Sequence, residues 1–279
     1  MLTRRNFLLA FAVAVFGGPA YARYLEPQWL KISVFSLNFF KKTPSRALRL
    51  LHLSDFHDSK YVSYAHIERA VTLGLEQDPD LVCLTGDMVS GLIRDFDRYR
   101  DILSRLSEHA PTYACTGNHD GGDWVAPRGG YTSLREVLKL FDQSGITSLR
   151  NTSEKITLLD RSITLAGVGD LWARDMHEQR AFKEIAPDDQ DAVIALSHNP
   201  DSKQKLLPYP WNLLLCGHTH GGQLQLPYFG TPFAPVSDHR YVAGLHPWEG
   251  RWIHITRGVG NLHGIRFNCR PEVSLLELS

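Results

Sequence analysis

Five short apolar runs punctuate the chain, and each empties into a cluster of carboxylate, amide or imidazole side chains. Leu50-Leu51-His52-Leu53-Ser54 leads to Asp55-Phe56-His57, and Leu81-Val82-Cys83-Leu84-Thr85 leads to Gly86-Asp87. Tyr113-Ala114-Cys115-Thr116 leads to Gly117-Asn118-His119-Asp120, and Val193-Ile194-Ala195-Leu196 leads, past Ser197, to His198-Asn199. The last, Leu213-Leu214-Leu215-Cys216, opens into Gly217-His218-Thr219-His220-Gly221-Gly222-Gln223. Uninterrupted apolar stretches of this length read as buried strands. Asp55 and Asp87 are 32 residues apart and Asp87 and Asn118 are 31 apart. A strand, a crossover helix and the next parallel strand need roughly 30. Open α/β sheets gather ligands at the carboxyl ends of their strands, so the pattern predicts one rim carrying all five clusters.

Helical segments are predicted near 65–77, 94–107 and 133–144, with a polar helical stretch over 175–185. Residues 29–35 read as an opening edge strand with a solvated end at Phe39-Phe40-Lys41-Lys42, although aromatics beside lysines also fit a membrane-surface contact. Short strands follow at 155–159, 162–166, 251–256 and 273–277. Crossover units first and hairpins later predict an α/β fold of two mixed sheets packed face to face, helices outside.

The first 22 residues differ from the rest. Thr3-Arg4-Arg5-Asn6-Phe7-Leu8 opens an apolar run to Phe16, followed by Gly17-Gly18-Pro19 and Ala20-Tyr21-Ala22. This layout predicts a twin-arginine-type export signal or anchor over 1–22, then a single domain over 23–279. The run is too short for an ordinary spanning helix. It places the protein in the periplasm or at the outer face of the inner membrane, with peripheral membrane association through the N-terminus if the segment is kept. Both cleavage after Ala22 and retention fit.

Lysine plus arginine and aspartate plus glutamate balance at 30 each, so there is no basic track and no nucleic-acid-binding signature. Cys83, Cys115 and Cys216 lie inside apolar strands and read as small core residues rather than a disulfide framework; Cys269 is either free or buried.

The rim would hold Asp55, His57, Asp87, Asn118, His198, His218 and His220. Seven nitrogen and oxygen donors exceed what one tetrahedral ion uses. They suit two divalent metal ions of the manganese, iron or zinc type, with Asp87 as the natural bridge. Alternate residues of an extended segment project the same way, which would turn His218 and His220 toward one centre. Such a pair of ions can clasp a bridging hydroxide, with water brought to a pKa of about 7, and hold a phosphate for attack. His119 is left free to protonate the leaving oxygen, with Asp120 orienting its ring. The plainer alternative is that both cap the turn.

The order Asp-x-His, Gly-Asp, Gly-Asn-His-Asp, His, Gly-His-Thr-His resembles the calcineurin-like metallophosphoesterases over nearly the whole chain after residue 45. Gly217–Gln223, Thr256-Arg257-Gly258-Val259-Gly260 and Arg270-Pro271-Glu272 resemble their small exported bacterial phosphodiesterases. The resemblance implies a four-layer α/β/β/α sandwich. It implies one metal on Asp55, His57, Asp87 and His220, another on Asp87, Asn118, His198 and His218, and His119 at the leaving group. Asp58-Ser59 departs from the pattern, and the extra acid at the rim is expected to alter substrate charge preference. No basic cluster adjoins the motifs in sequence, which favours a phosphodiester over a monoester substrate. A phosphodiester small molecule and a lipid-linked phosphate are both open. The alternatives are a pyrophosphate hydrolase of a nucleotide-linked lipid precursor and a non-catalytic metal-binding envelope protein. His52 reads as a hydrogen-bonded core residue, and His263 and Arg266 as a solvated turn, with a reach to substrate phosphate as the alternative.

Overall fold

A computed structural model describes residues 17–40, 46–186 and 192–279. The twin arginines and the apolar run to Phe16 lie outside the described residues, as do Lys41 and Lys42. The first sheet has the order β1 (Lys31–Leu37), β12 (Glu272–Leu278), β2 (Leu48–Leu53), β3 (Leu81–Thr85), β4 (Thr112–Cys115), β5 (Thr147–Ser148). All pairs are parallel except β12 with β2. The second runs β10 (Gly244–Trp248), β11 (Arg251–Ile255), β9 (Leu213–Cys216), β8 (Ala192–Leu196), β7 (Arg161–Gly167), β6 (Thr152–Leu158). Its two outer pairs are antiparallel. The α/β expectation of two mixed sheets face to face is met.

The period-two alternation of strands decides which residue faces which layer. Leu48 and Leu50 of β2, with Leu213 and Leu215 of β9, point into the core between the sheets. Leu51 and Leu53 point outward, under α1 (Tyr64–Leu75), α2 (Phe96–His109) and α3 (Arg135–Gln143). Ile67, Ala70 and Val71, Leu103 and Leu106, and Leu140 and Phe141 are the buried faces of these helices. Each buried leucine contributes about 1.5–3 kcal/mol. Ser63 and Asp95 cap α1 and α2 by accepting the amides of His66 and Arg98. Leu214, Cys216, Ile253 and Ile255 line the far face of the second sheet, under Phe182, Leu206, Trp211 and Tyr241.

The polar stretch predicted as a helix over 175–185 contracts to Glu178–Ala181. Asp175 closes a turn instead, its amide on the Asp170 carbonyl and its carboxylate on Arg150. β10 carries Pro247 on an edge, where a missing amide costs nothing, and no sequence pattern announced it. Phe40 is buried rather than set on a solvated end. All four cysteines are free and buried. Ala22, the last residue of the expected leader, is buried and its carbonyl accepts the amide of Arg266 at 2.9 Å, so the boundary at residue 22 passes through a packed turn. No helix among the described residues is long and apolar enough to cross a membrane.

Candidate metal centre

The five clusters do meet at one rim. Sheet-like pairing continues past the strand ends, with the amides of Asp55, His57 and Asp58 donating to the carbonyls of Gly86, Asp87 and Met88 at 3.0 Å each. The chain then turns sharply. Asp55, His57, Asp87, His218 and His220 all have left-handed backbone, with φ between 49° and 69°. Each costs about 1–2 kcal/mol against ordinary backbone, and such strain concentrates at functional sites. Glycine is required at 117, where an added Cβ would lie 2.2 Å from Asp87 Oδ1.

Two clusters of buried donors result, Asp55 with His57 and His220, and Asp55 with Asp87 and His198. His57 Nε2 lies 3.0 Å from His220 Nε2, and Asp55 Oδ1 lies 3.3 Å from His220 Nε2. Asp87 Oδ2 stands 3.4 Å from His57 Nε2 and 3.1 Å from His198 Nε2, touching a ring of each cluster. Asp87, the expected bridge, thus reaches both clusters, and Asp55 belongs to each of them as well.

The rings are set by partners behind them. His57 Nδ1 is 2.9 Å from Ser90 Oγ, and His198 Nδ1 is 2.6 Å from the Thr85 carbonyl. A carbonyl only accepts, so His198 Nδ1 carries the hydrogen and a neutral ring turns its Nε2 lone pair toward the Asp87 carboxylate. That arrangement is stable only with positive charge at Nε2. Burial opposes charging His198, yet the Asp87 carboxylate carries it well above the ordinary histidine range. Burial, reinforced by His198, pushes His218 down to about 3. Asn118 Oδ1 and His218 Nε2 are buried without any hydrogen-bond partner. Buried polar atoms are rarely left so. Imidazole nitrogens, two carboxylates and an amide oxygen are the donor types that suit divalent cations of the transition series.

Four expectations need correction. Asp120 does not reach the His119 ring. Its carboxylate accepts the amides of Asp87, Met88 and Gly117 at 3.0, 2.7 and 2.8 Å, because three adjacent N–H groups converge on it inside the turn. His218 and His220 are not on an extended segment; their left-handed backbone sends His220 to Asp55 and His57, and His218 to His198 and Trp172. Asp58 adds no free charge at the rim, since it is buried, salt-bridged to Arg94 Nε at 2.5 Å and hydrogen-bonded by the Tyr64 hydroxyl at 2.6 Å. His52 is a core residue as expected, its Nδ1 2.8 Å from His254 Nδ1. Arg266 is fully buried and donates to the carbonyls of Arg257, Gly260 and Cys269, so no solvated turn holds it.

His119 stands beside the clusters without joining them. Its ring meets His57 at 4.9 Å and Trp124 at 4.8 Å, its amide donates to Asp87 Oδ1 at 2.8 Å, and burial lowers it to about 4. Sequence reasoning missed Ser90, Trp124 and Trp172, which touch His57, His119 and His218. Ser90 had a signal, three residues past Asp87; the tryptophans had none. It also missed two cations, Lys60 and Arg128, which line a cavity with His119.

The family model described as calcineurin-like phosphoesterase matches residues 48–222, the segment that carries every donor of the two clusters. The chain is a calcineurin-like phosphoesterase. This phosphoesterase is 44% identical to phosphodiesterase YaeI of Escherichia coli (strain K12), over all of both chains. It is 29% identical to the metallophosphoesterase YkuE of Bacillus subtilis (strain 168), over 99% of its own length and 98% of the relative's. It is 27% identical to UDP-2,3-diacylglucosamine pyrophosphatase LpxG of Chlamydia trachomatis, over 92% and 91%. The calcineurin-like phosphoesterase is thus a phosphoester hydrolase with two candidate metal-ligand groups.

Proposed function

We propose that the chain is a phosphodiesterase that works with two divalent ions held by Asp55, His57, Asp87, Asn118, His198, His218 and His220. The observation that supports it is the pair of buried donor clusters, Asp55–His57–His220 and Asp55–Asp87–His198, with buried, partnerless donor atoms on Asn118 and His218. The full-length likeness to a phosphodiesterase points the same way. When bound, such ions supply Lewis-acid charge and bring water toward a pKa of about 7. Within this reading the chain's own residues do the rest. His57 and His198 are oriented by Ser90 and Thr85. Asp87 and Asp55 balance the charge, and His119 offers a ring N–H to the leaving oxygen. The tryptophans beside His119 and His218 keep bulk water away from the rings.

Manganese is one metal of the expected class. Export through residues 1–22 to the periplasm or the outer face of the inner membrane remains part of the proposal, as does peripheral membrane association. Tyr24 and Leu25, 70% and 61% exposed, support the latter. A second reading, hydrolysis of a lipid-linked pyrophosphate, is favoured by the LpxG relative. Metal analysis of purified protein beside a panel of soluble diesters, monoesters and lipid-linked pyrophosphates tests both. Two ions per chain with diester turnover is the expected result; turnover of monoesters alone overturns it. His119→Ala should keep both ions and lose roughly 10²–10⁴-fold in rate. An unchanged rate would remove His119 from the reaction, and metal binding without turnover of any of the substrates by the parent would favour a metal-binding protein that does no chemistry.

A further inference from the structure

Two cavities open on either side of the centre, and the same two residues, Leu262 and His263, form a wall of each. One, of about 510 Å³, has His119 in its lining together with Lys60, Ser90, Leu92 and Arg128. The other, of about 440 Å³, has His220 in its lining together with Leu224, Phe233 and Pro235. The ridge between them is fixed. Gln223 clamps Leu262 through both ends of its amide, Nε2 to the carbonyl at 2.7 Å and Oε1 from the amide at 3.0 Å. Gln223 closes the segment that supplies His218 and His220, so the ridge is held by the same turn as the rings. Arg23 Nη1 holds the Gly264 carbonyl at 2.9 Å from below. His263, at the tip, has left-handed backbone with φ 60°.

The two cavities differ in charge. In the first, Arg94 is neutralised by Asp58, whereas Lys60 and Arg128 rest on the rings of Tyr61 and Trp124, not on carboxylates. Their positive charge is therefore available to a ligand. The second cavity has no lysine, arginine or carboxylate in its lining, and Phe233 is 67% exposed there. An exposed aromatic at the mouth of a pocket is a surface awaiting an apolar group.

We propose that these cavities sort the two arms of an unsymmetrical phosphodiester, an anionic arm entering beside His119 and a hydrocarbon arm lying against Phe233. The assignment rests on the phosphodiesterase reading and adds which bond breaks. Water delivers its oxygen to phosphorus, and the bond from phosphorus to the anionic arm's oxygen breaks with its electron pair on that oxygen. A proton passed on the His119 side completes the leaving alcohol and is replaced by the one the attacking water gives up, and the hydrocarbon arm stays behind as a phosphate monoester.

Three synthetic diesters test it, with octyl and phosphate-terminated ethyl arms combined as the mixed compound and the two symmetrical ones. The metal-loaded protein should cleave the mixed diester at least about tenfold better in kcat/KM than either symmetrical one, giving octyl phosphate as the monoester. Lys60→Ala with Arg128→Ala should reduce the preference for the mixed over the dioctyl compound by about tenfold, and Phe233→Ser should reduce the preference for the mixed over the doubly anionic one. All three positions are surface side chains, so melting temperature and metal content should match the parent. Cleavage of all three diesters at equal rates, or ratios untouched by the substitutions, overturns the sorting and leaves the phosphodiesterase reading standing. Turnover of none of them overturns both.

Discussion

His198 donates from Nδ1 to the carbonyl oxygen of Thr85 at 2.6 Å, which latches the second residue past β8 in one sheet to the end of β3 in the other. The ring bridges the sandwich at the point where the donors meet. With Asp55 and Asp87 it makes up one cluster, while Asp55, His57 and His220 form the other without it. His198→Ala should therefore release about one ion per chain and keep the second. Elemental analysis after gel filtration reads the ratio; two ions retained would remove His198 from the ligand set.

Ser90, in the wall of the cavity beside His119, also fixes His57 through Nδ1 at 2.9 Å. Partners of this kind set ring orientation and ligand basicity, and their loss costs about 10–100-fold in metal affinity. Ser90→Ala should weaken binding by that factor in a competition titration with a chromogenic chelator. Thermal stability of the metal-free protein should hardly move.

Asp120 gathers three backbone amides at the turn carrying Asp87. Removing a buried acceptor leaves its donors unpaired, at about 1–3 kcal/mol each. Asp120→Ala is expected to lower the unfolding free energy by about 3 kcal/mol or more in urea titration. An unchanged midpoint would mean the amides find other acceptors.

His66, far from the donors in contact terms, donates from Nε2 to the Val259 carbonyl at 2.9 Å and is 3% exposed. Burial holds it to about 4, against 6.5 in an open chain. As pH falls through 6.5 the unfolded chain takes a proton that the folded protein refuses until about 4. The folded state thus loses ground across that window, by up to about 3 kcal/mol, and no further below it. His66→Gln should flatten part of the fall in stability between pH 7 and pH 4.5, measured by denaturant midpoints. Identical slopes for parent and variant would contradict the neutral buried ring.

What could be read in advance was whatever local pattern controls. Leu81–Thr85 and Leu213–Cys216 are uninterrupted apolar runs, and their strands fall where the runs do. Spacing then placed Asp55, Asp87 and Asn118 at successive strand ends. Contacts between distant residues escaped. Nothing near Asp58 announces Arg94, 36 residues on, so an inert salt bridge looked like a free acid. Lys60 and Arg128 stand far apart in sequence, and only the folded loops bring them to one cavity. The left-handed turns at His218 and His220 escaped too, because positive φ is uncommon at any residue but glycine and no local pattern marks where it falls.

The first sheet seats its final strand inside rather than at an edge, since β12 lies between β1 and β2. β1 therefore has no neighbour, and β2 lacks one flank, until residue 278 has been synthesised. Roughly the first 270 residues must wait, half-assembled, with the β2 face open to wrong partners. Shortening the chain before Glu272 should yield an aggregating product rather than a smaller enzyme.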